Sequence, residues 1–178
     1  GDIKVQEVDG NGVITTDDRI IYSQRPDVTF GFNNTFNYKG FDLSVFLYAR
    51  LGQWIAYDYN TTYRINALEN GGNVDYWTPE NPTNAFPRPN KSKSYTQVTY
   101  YSTLKYEDGS FFKIRDITLG YTFKPELLKH LNLSKLRVYA TAKNFFTFSK
   151  IDNYDPEQGG SISFPMTKQL VFGLNVEF

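Results

Sequence analysis

The sequence has no cysteine, and only one histidine and one methionine in 178 residues. Without thiols there is no disulfide framework, no cysteine-based zinc site and no thiol nucleophile. With His130 as the sole imidazole, histidine clusters are excluded and a catalytic triad is disfavoured. Neither sign of charge is in excess, since 19 Lys and Arg face 19 Asp and Glu. Nucleic-acid binding by counterion release needs a basic surface, so no nucleic-acid partner is expected. No apolar run approaches the roughly 18 residues of a membrane-crossing helix. The opening Gly1-Asp2-Ile3-Lys4 lacks the layout of a signal peptide, and the chain reads as a mature piece. The inventory speaks against an enzyme and leaves transport, binding and structural roles.

What is abundant is aromatic: 15 Phe, 14 Tyr and 2 Trp make up 17% of the chain. From Asp27 to Lys39 these residues alternate with polar ones. Val28, Phe30, Phe32, Phe36 and Tyr38 fall on one face, and Thr29, Gly31, Asn33, Thr35 and Asn37 on the other. A period of two is the signature of a strand. The run Phe41 to Leu51 alternates again, and a two-residue loop at Lys39-Gly40 predicts the register of a hairpin: Tyr38 opposite Phe41, Phe36 opposite Leu43, Phe32 opposite Leu47, Val28 opposite Leu51. Every pair but Asn34 with Val45 is then apolar, and a slip of one residue destroys the match.

Three more strands are predicted over 110–123, 136–148 and 168–178. In the first of these Phe112 and Ile114 are out of phase with Ile117, Leu119 and Tyr121, which predicts a bulge or a change of environment near Arg115 and Asp116. The joins alternate in length. Lys39-Gly40 and 124–135 are short, with a helical turn expected over Pro125 to Leu131, while about 52–109 and 149–167 are long. Long connections count against a compact soluble domain, but a barrel in the outer membrane has short periplasmic turns and long outer loops. Strand length points the same way: runs of 10 to 13 residues suit a tilted membrane strand of about 9–11 better than a sandwich strand of about 5–6. The fold class expected is all-β, about five long antiparallel strands of a transmembrane barrel, with a soluble β-sandwich as the alternative.

Three stretches carry a family likeness: 1–34, with Gly1 to Arg19 followed by Pro26-Asp27-Val28-Thr29-Phe30; Tyr76-Trp77-Thr78-Pro79-Glu80-Asn81-Pro82-Thr83-Asn84; and the tail from Glu107-Asp108-Gly109-Ser110 through Thr118-Leu119-Gly120-Tyr121-Thr122 and Arg137-Val138-Tyr139 to Asn144-Phe145-Phe146-Thr147. In order, and over nearly all residues, they resemble the C-terminal barrel region of SusC/RagA-type TonB-dependent outer-membrane receptors. The resemblance implies a nutrient importer in the bacterial outer membrane, with a barrel of about 22 strands. It further implies an N-terminal plug on which TonB pulls, absent from this sequence, and a SusD-like surface lipoprotein that closes over a glycan or peptide substrate. Five strands fall below the roughly eight of the smallest barrels. The whole of 1–178 is therefore expected to be one C-terminal segment, completed by more polypeptide and bordered by outer-membrane lipid.

Candidate sites are few. Glu7, Asp9, Asn11, Val13, Thr15 and Asp18 have the spacing of an EF-hand-type calcium loop, with Gly12 at the sharp turn. The competing reading is a Gly/Asn turn closed by its own side chains. No other cofactor is expected. Tyr76, Trp77 and Phe86, in the longest loop, are candidates to stack on substrate or to meet a partner, or else to pack the loop on itself. Trp54 and Tyr57 fit an interfacial aromatic belt or a ligand contact. The carboxylate pairs Asp17/Asp18, Asp152/Asp155 and Asp155/Glu157 read as solvated loop charges rather than as a glycosidase pair, and His130 as a surface residue of a periplasmic turn. The ending Gly173-Leu174-Asn175-Val176-Glu177-Phe178, apolar at alternate positions and closed by an aromatic residue, resembles an outer-membrane assembly signal, with Gly173, Val176 and Phe178 as its candidate residues and Val171 where a polar residue is usual. A secreted carbohydrate-binding sandwich, with or without calcium, is the competing function.

Overall fold

A computed structural model describes residues 1–64, 71–92 and 101–178. Five long strands, β1 (Val28–Tyr38), β2 (Phe41–Leu51), β5 (Phe111–Thr122), β6 (Lys135–Ser149) and β7 (Gln169–Glu177), form one antiparallel sheet in the order β1-β2-β5-β6-β7. Each strand lies beside its predecessor, the up-and-down order of a barrel wall. Two short strands, β3 (Trp54–Ala56) and β4 (Tyr106–Asp108), pair inside the long connection and had no alternation long enough to announce them. Among the described residues the other sheet is the two-stranded β3-β4 pair, an arrangement that does not favour a sandwich. Both outer edges, β1 and β7, are open there, so the barrel is not closed by these strands.

The first hairpin has the register its alternation predicts, from Val28 opposite Leu51 to Tyr38 opposite Phe41. Lys39 and Gly40 both have positive φ, 47° and 89°, as a type I′ turn requires. A Cβ on Gly40 would also press on the carbonyl oxygen of Thr122, so glycine is demanded twice. The long connection after β3 contains α1 (Asp58–Thr61), and the second short join has α2 (Pro125–Leu128) and a following turn. Pro125 opens that turn, Leu128 is buried under it and Asn132, at φ 52°, ends it.

The irregularity in β5 is a bulge. Phe46 pairs with Asp116 and Leu47 with Ile114, leaving Arg115 as an extra residue against β2. Against β6, Ile114 pairs with Phe146 and Asp116 with Lys143, so Asn144 and Phe145 stand opposite Arg115, with Asn144 at φ 58°. The extra residue restores the phase. Phe112, Ile114, Ile117, Leu119 and Tyr121 all lie opposite outward residues of β2, namely Ala49, Leu47, Val45, Leu43 and Phe41. One face of the sheet is thereby apolar from β1 to β7 and open to the surroundings, with Phe32, Leu119, Phe148 and Phe172 all exposed. A soluble monomer rarely exposes more than a few hundred Å² of contiguous apolar surface, whereas lipid requires it. Cross-strand ring pairs such as Phe41 with Tyr121, at 4.6 Å between centroids, add about 0.5–1 kcal/mol each to the pairing.

Candidate functional site

The opposite face carries charge, and the charges are matched across strands. Arg137 Nε donates to Asp42 at 2.8 Å, bridging β6 and β2 over Gly120 of the intervening β5. A side chain at Gly120 would collide with that pair. Lys143 lies 3.6 Å from Asp116, and the hydroxyls of Thr118 and Thr141 share a hydrogen bond of 2.8 Å. Tyr139 lies across Gly173 of β7, where a Cβ would strike its ring. Such a wall faces water on the inside and lipid on the outside.

Near the end of the sheet opposite the short turns, Lys113 is fully buried. Its Nζ donates to both oxygens of Asp155, at 2.8 and 2.7 Å, and to Glu157 at 2.8 Å. Arg115, turned inward by the bulge, meets the other Glu157 oxygen at 3.0 Å. Asp155 also accepts the backbone N–H of Glu157, so the turn is preformed to present both carboxylates. The expectation of solvated loop charges fails for Asp155 and Glu157, because the 149–168 connection folds back over the inner face and needs their charge to neutralise Lys113. It fails for Asp18 too, which is buried.

The two long connections and the 1–26 segment meet at this end. Ile55, Tyr57 and Ile151 make a small core with Tyr59, Tyr154 and Ile162 around it. Asp58 N–H donates to the Gly160 carbonyl and Trp54 N–H to the Ser23 carbonyl, at 2.9 and 2.8 Å. Trp54 stacks on Tyr22 with centroids 3.9 Å apart. Neither Trp54 nor Tyr57 sits in a lipid-facing belt: the first is held by the 1–26 segment, and burial pushes the phenol of the second up to about 12.

Of the candidate calcium loop, Glu7, Asp9 and Asp18 each bring an oxygen within 4.8 Å of the others. Asn11, Val13 and Thr15 serve the turn itself. Asn11 N–H donates to Asp9 at 3.0 Å, Val13 N–H to Asn11 at 2.7 Å, and the Thr15 hydroxyl caps Asp17 N–H at 3.1 Å. Asp18 accepts the N–H groups of Thr15 and Val8, both at 2.7 Å, and these bonds, with a weaker one from Asp9, hold its carboxyl below the usual range despite its burial.

Tyr76 and Phe86 form a bridge, and Tyr63 is buried between their rings, its hydroxyl on the Pro87 carbonyl at 2.6 Å. Trp77 N–H donates to Phe86 carbonyl at 3.0 Å, and its ring borders Gly1. The hydroxyl of Thr83 and then the amide of Asn81 hold the Asp75 carboxyl below its usual range and close the Pro-rich turn between. These three aromatic residues thus pack the loop, while Tyr76 keeps an exposed face. In the last strand Val176 points outward, Gly173 inward beneath Tyr139, and Phe178 is almost wholly exposed. His130 is exposed on the second short join.

An open single-layer sheet with a lipid-type outer face, a charge-paired inner face and its loops gathered at one end is a section of membrane-barrel wall. No family model matches the chain. TonB-dependent receptor P3 of Formosa agariphila is 31% identical over 97% of this chain and 18% of its own length. TonB-dependent receptor SusC of Bacteroides thetaiotaomicron is 31% identical over 95% of this chain and 17% of its own. The solved RagAB peptide importer in its closed-closed state matches with a TM-score of 0.73 at 27% identity, over 97% of this chain and 20% of that one. The chain therefore spans about a fifth of the length of the relatives it matches. Over nearly its whole length it is similar to a segment of the SusC/RagA-type TonB-dependent receptors of the bacterial outer membrane.

Proposed function

We propose that residues 1–178 form the C-terminal part of the wall and outer loops of a TonB-dependent importer that takes up glycans or peptides. A SusD-like lipoprotein caps it, TonB acts through a plug domain elsewhere in the polypeptide, and this segment does no chemistry. The observation that carries the reading is the separation of faces across all five strands. In this reading 1–26, about 52–109 and 149–167 lie outside the cell, and Lys39-Gly40 and 124–135 in the periplasm. Cysteine placed at Asn84 in the full receptor is expected to react with an impermeant maleimide on intact cells and cysteine at Lys39, in the Lys39-Gly40 turn, is not; the reverse pattern inverts the orientation. Uptake that persists without TonB removes the importer reading.

The loop 7–18 adds calcium to this reading, held by Glu7, Asp9 and Asp18, whose clustered negative charge a cation offsets. Extracellular sites of this kind bind at about 10⁻⁴–10⁻³ M. Calcium titration is expected to raise amide protection at Val8 and Thr15, and Asp18→Asn to abolish the effect. The contribution of Asp18 is present above the ordinary carboxyl range and is lost as pH falls through its lowered value, so protection of the same amides is expected to fail only in that acid window. Protection indifferent to calcium leaves a self-closed turn. For Gly173, Val176 and Phe178 the same reading predicts that Phe178→Asp lowers the amount of receptor inserted in the outer membrane; normal abundance with only slightly reduced thermal stability reduces Phe178 to a belt aromatic.

A further inference from the structure

On the inner wall, Asp42, Asp116, Asp155 and Glu157 are each answered by a cation, but one cation is left over. Arg50 has no carboxylate partner among the described residues. Its Nε donates to the Tyr48 hydroxyl at 2.8 Å and its guanidinium carbon lies 5.6 Å from the centroid of that ring, so both Nη groups keep their protons for another acceptor. The guanidinium of Arg115 lies 5.4 Å from the same centroid. Without the bulge that inserts Arg115, that side chain and Asp116 would point to opposite faces, and bulges commonly re-aim a side chain toward a working site.

Tyr48 is itself part of an inward aromatic floor, with Phe46 at 6.4 Å and Phe111 at 5.8 Å between centroids. Large rings are out of keeping with the polar residues usual on a wet inner wall. They hold the arginine stem in place and lower the local dielectric, which strengthens a charge-assisted hydrogen bond made above them. A planar guanidinium fork with two free edges matches a carboxylate in bidentate geometry. Arg50 is the penultimate residue of β2, beside the gathered outer loops and far from the Lys39-Gly40 turn. On the importer reading, that is the side from which substrate enters.

We propose that Arg50, seated on Tyr48 with Arg115 beside it, is a subsite for a carboxylate group of the transported molecule. This deepens the importer reading and rests on it. The carboxylate comes from a peptide terminus or from a uronic acid; the chemistry that recognises it is the same. The test uses the full receptor purified with its lipoprotein. The probes are a decapeptide without acidic side chains, with a free C-terminus or as its amide, and tetragalacturonate or its methyl ester. For one of the two pairs the free carboxylate is expected to bind about tenfold tighter than the blocked form, less so as salt rises. Arg50→Gln is expected to erase that preference and Arg50→Lys to keep part of it, and the pair that discriminates identifies the source. Equal binding of free and blocked forms, binding of neither, or a preference that survives Arg50→Gln overturns the proposal. So does a loss of thermal stability in Arg50→Gln with the preference intact, which marks Arg50 as a contact to another part of the receptor. Growth of a receptor-deleted strain restored by the wild-type gene in a TonB-dependent manner judges the importer reading separately.

Discussion

Arginine at Leu47 is expected to destabilise the receptor in the membrane by about 2–4 kcal/mol, as is arginine at Phe32, whereas arginine at Thr35 is expected to be tolerated. Leu47 lies opposite Phe32 on one side and Ile114 on the other, in the middle of the outward face. There the guanidinium has no water and no partner, and each way of reaching one, by snorkelling or by thinning the bilayer, costs free energy. Thr35 lies opposite Ser44 on the inward face, beside a hydrogen bond from Ser44 to Asn33, in surroundings that already hold Asp42 and Arg137. Urea-dependent folding into lipid vesicles, with receptor abundance in outer-membrane fractions as the cellular readout, measures the difference. Equal tolerance at the two faces sinks the assignment of this sheet to a barrel wall.

The second large effect is expected at Lys113. Its ammonium is fully buried and is shared by Asp155 and Glu157, whose side chains are 12% and 10% exposed. Charges taken so far out of water are repaid only by one another, and removing one partner from such a cluster costs about 3–5 kcal/mol. Lys113→Met fills about the same volume but leaves two carboxylates side by side without their shared cation, so the 149–167 connection is expected to lift from the inner face. Arg115 retains Glu157 and limits the loss. Protease cleavage within 152–162 on intact cells is the sensitive readout, and the triple variant Lys113→Met, Asp155→Asn, Glu157→Gln is expected to recover part of the lost protection because it leaves no unpaired charge. If Lys113→Met leaves the connection as resistant as wild type, the cluster does not hold the loop down.

Much of the wall was legible in the residues because a strand assigns faces locally. Side chains alternate with a period of two, so Phe30, Phe32, Leu43 and Leu47 declare their face without reference to anything distant, and a two-residue turn at Lys39-Gly40 then permits a single register. The broken phase between Ile114 and Ile117 located the bulge for the same reason: an extra residue in a strand leaves a mark in the pattern even when its partner strands are not known. The strands β3 and β4, three residues each, leave no such mark, and pairing with one another alone makes them strands.

The contents of the inner wall were not legible, because a charge in a sequence carries no direction and no partner. Asp42 meets Arg137 from 95 residues away, and Lys113 meets Asp155 and Glu157 from 42 and 44. Trp54 and Tyr57 look like belt aromatics until the 1–26 segment and the 149–167 connection are seen to close over them. By itself, the sequence determined which residues face lipid, how the first hairpin is aligned and where the third long strand breaks step, since those follow from alternation along a few neighbouring residues. Only the tertiary structure decided which charges are neutralised, which aromatic residues are buried and that Arg50 is left with donors to spare among the described residues, since those depend on where long loops return, and the free energy of bringing distant segments together is not written at any single position.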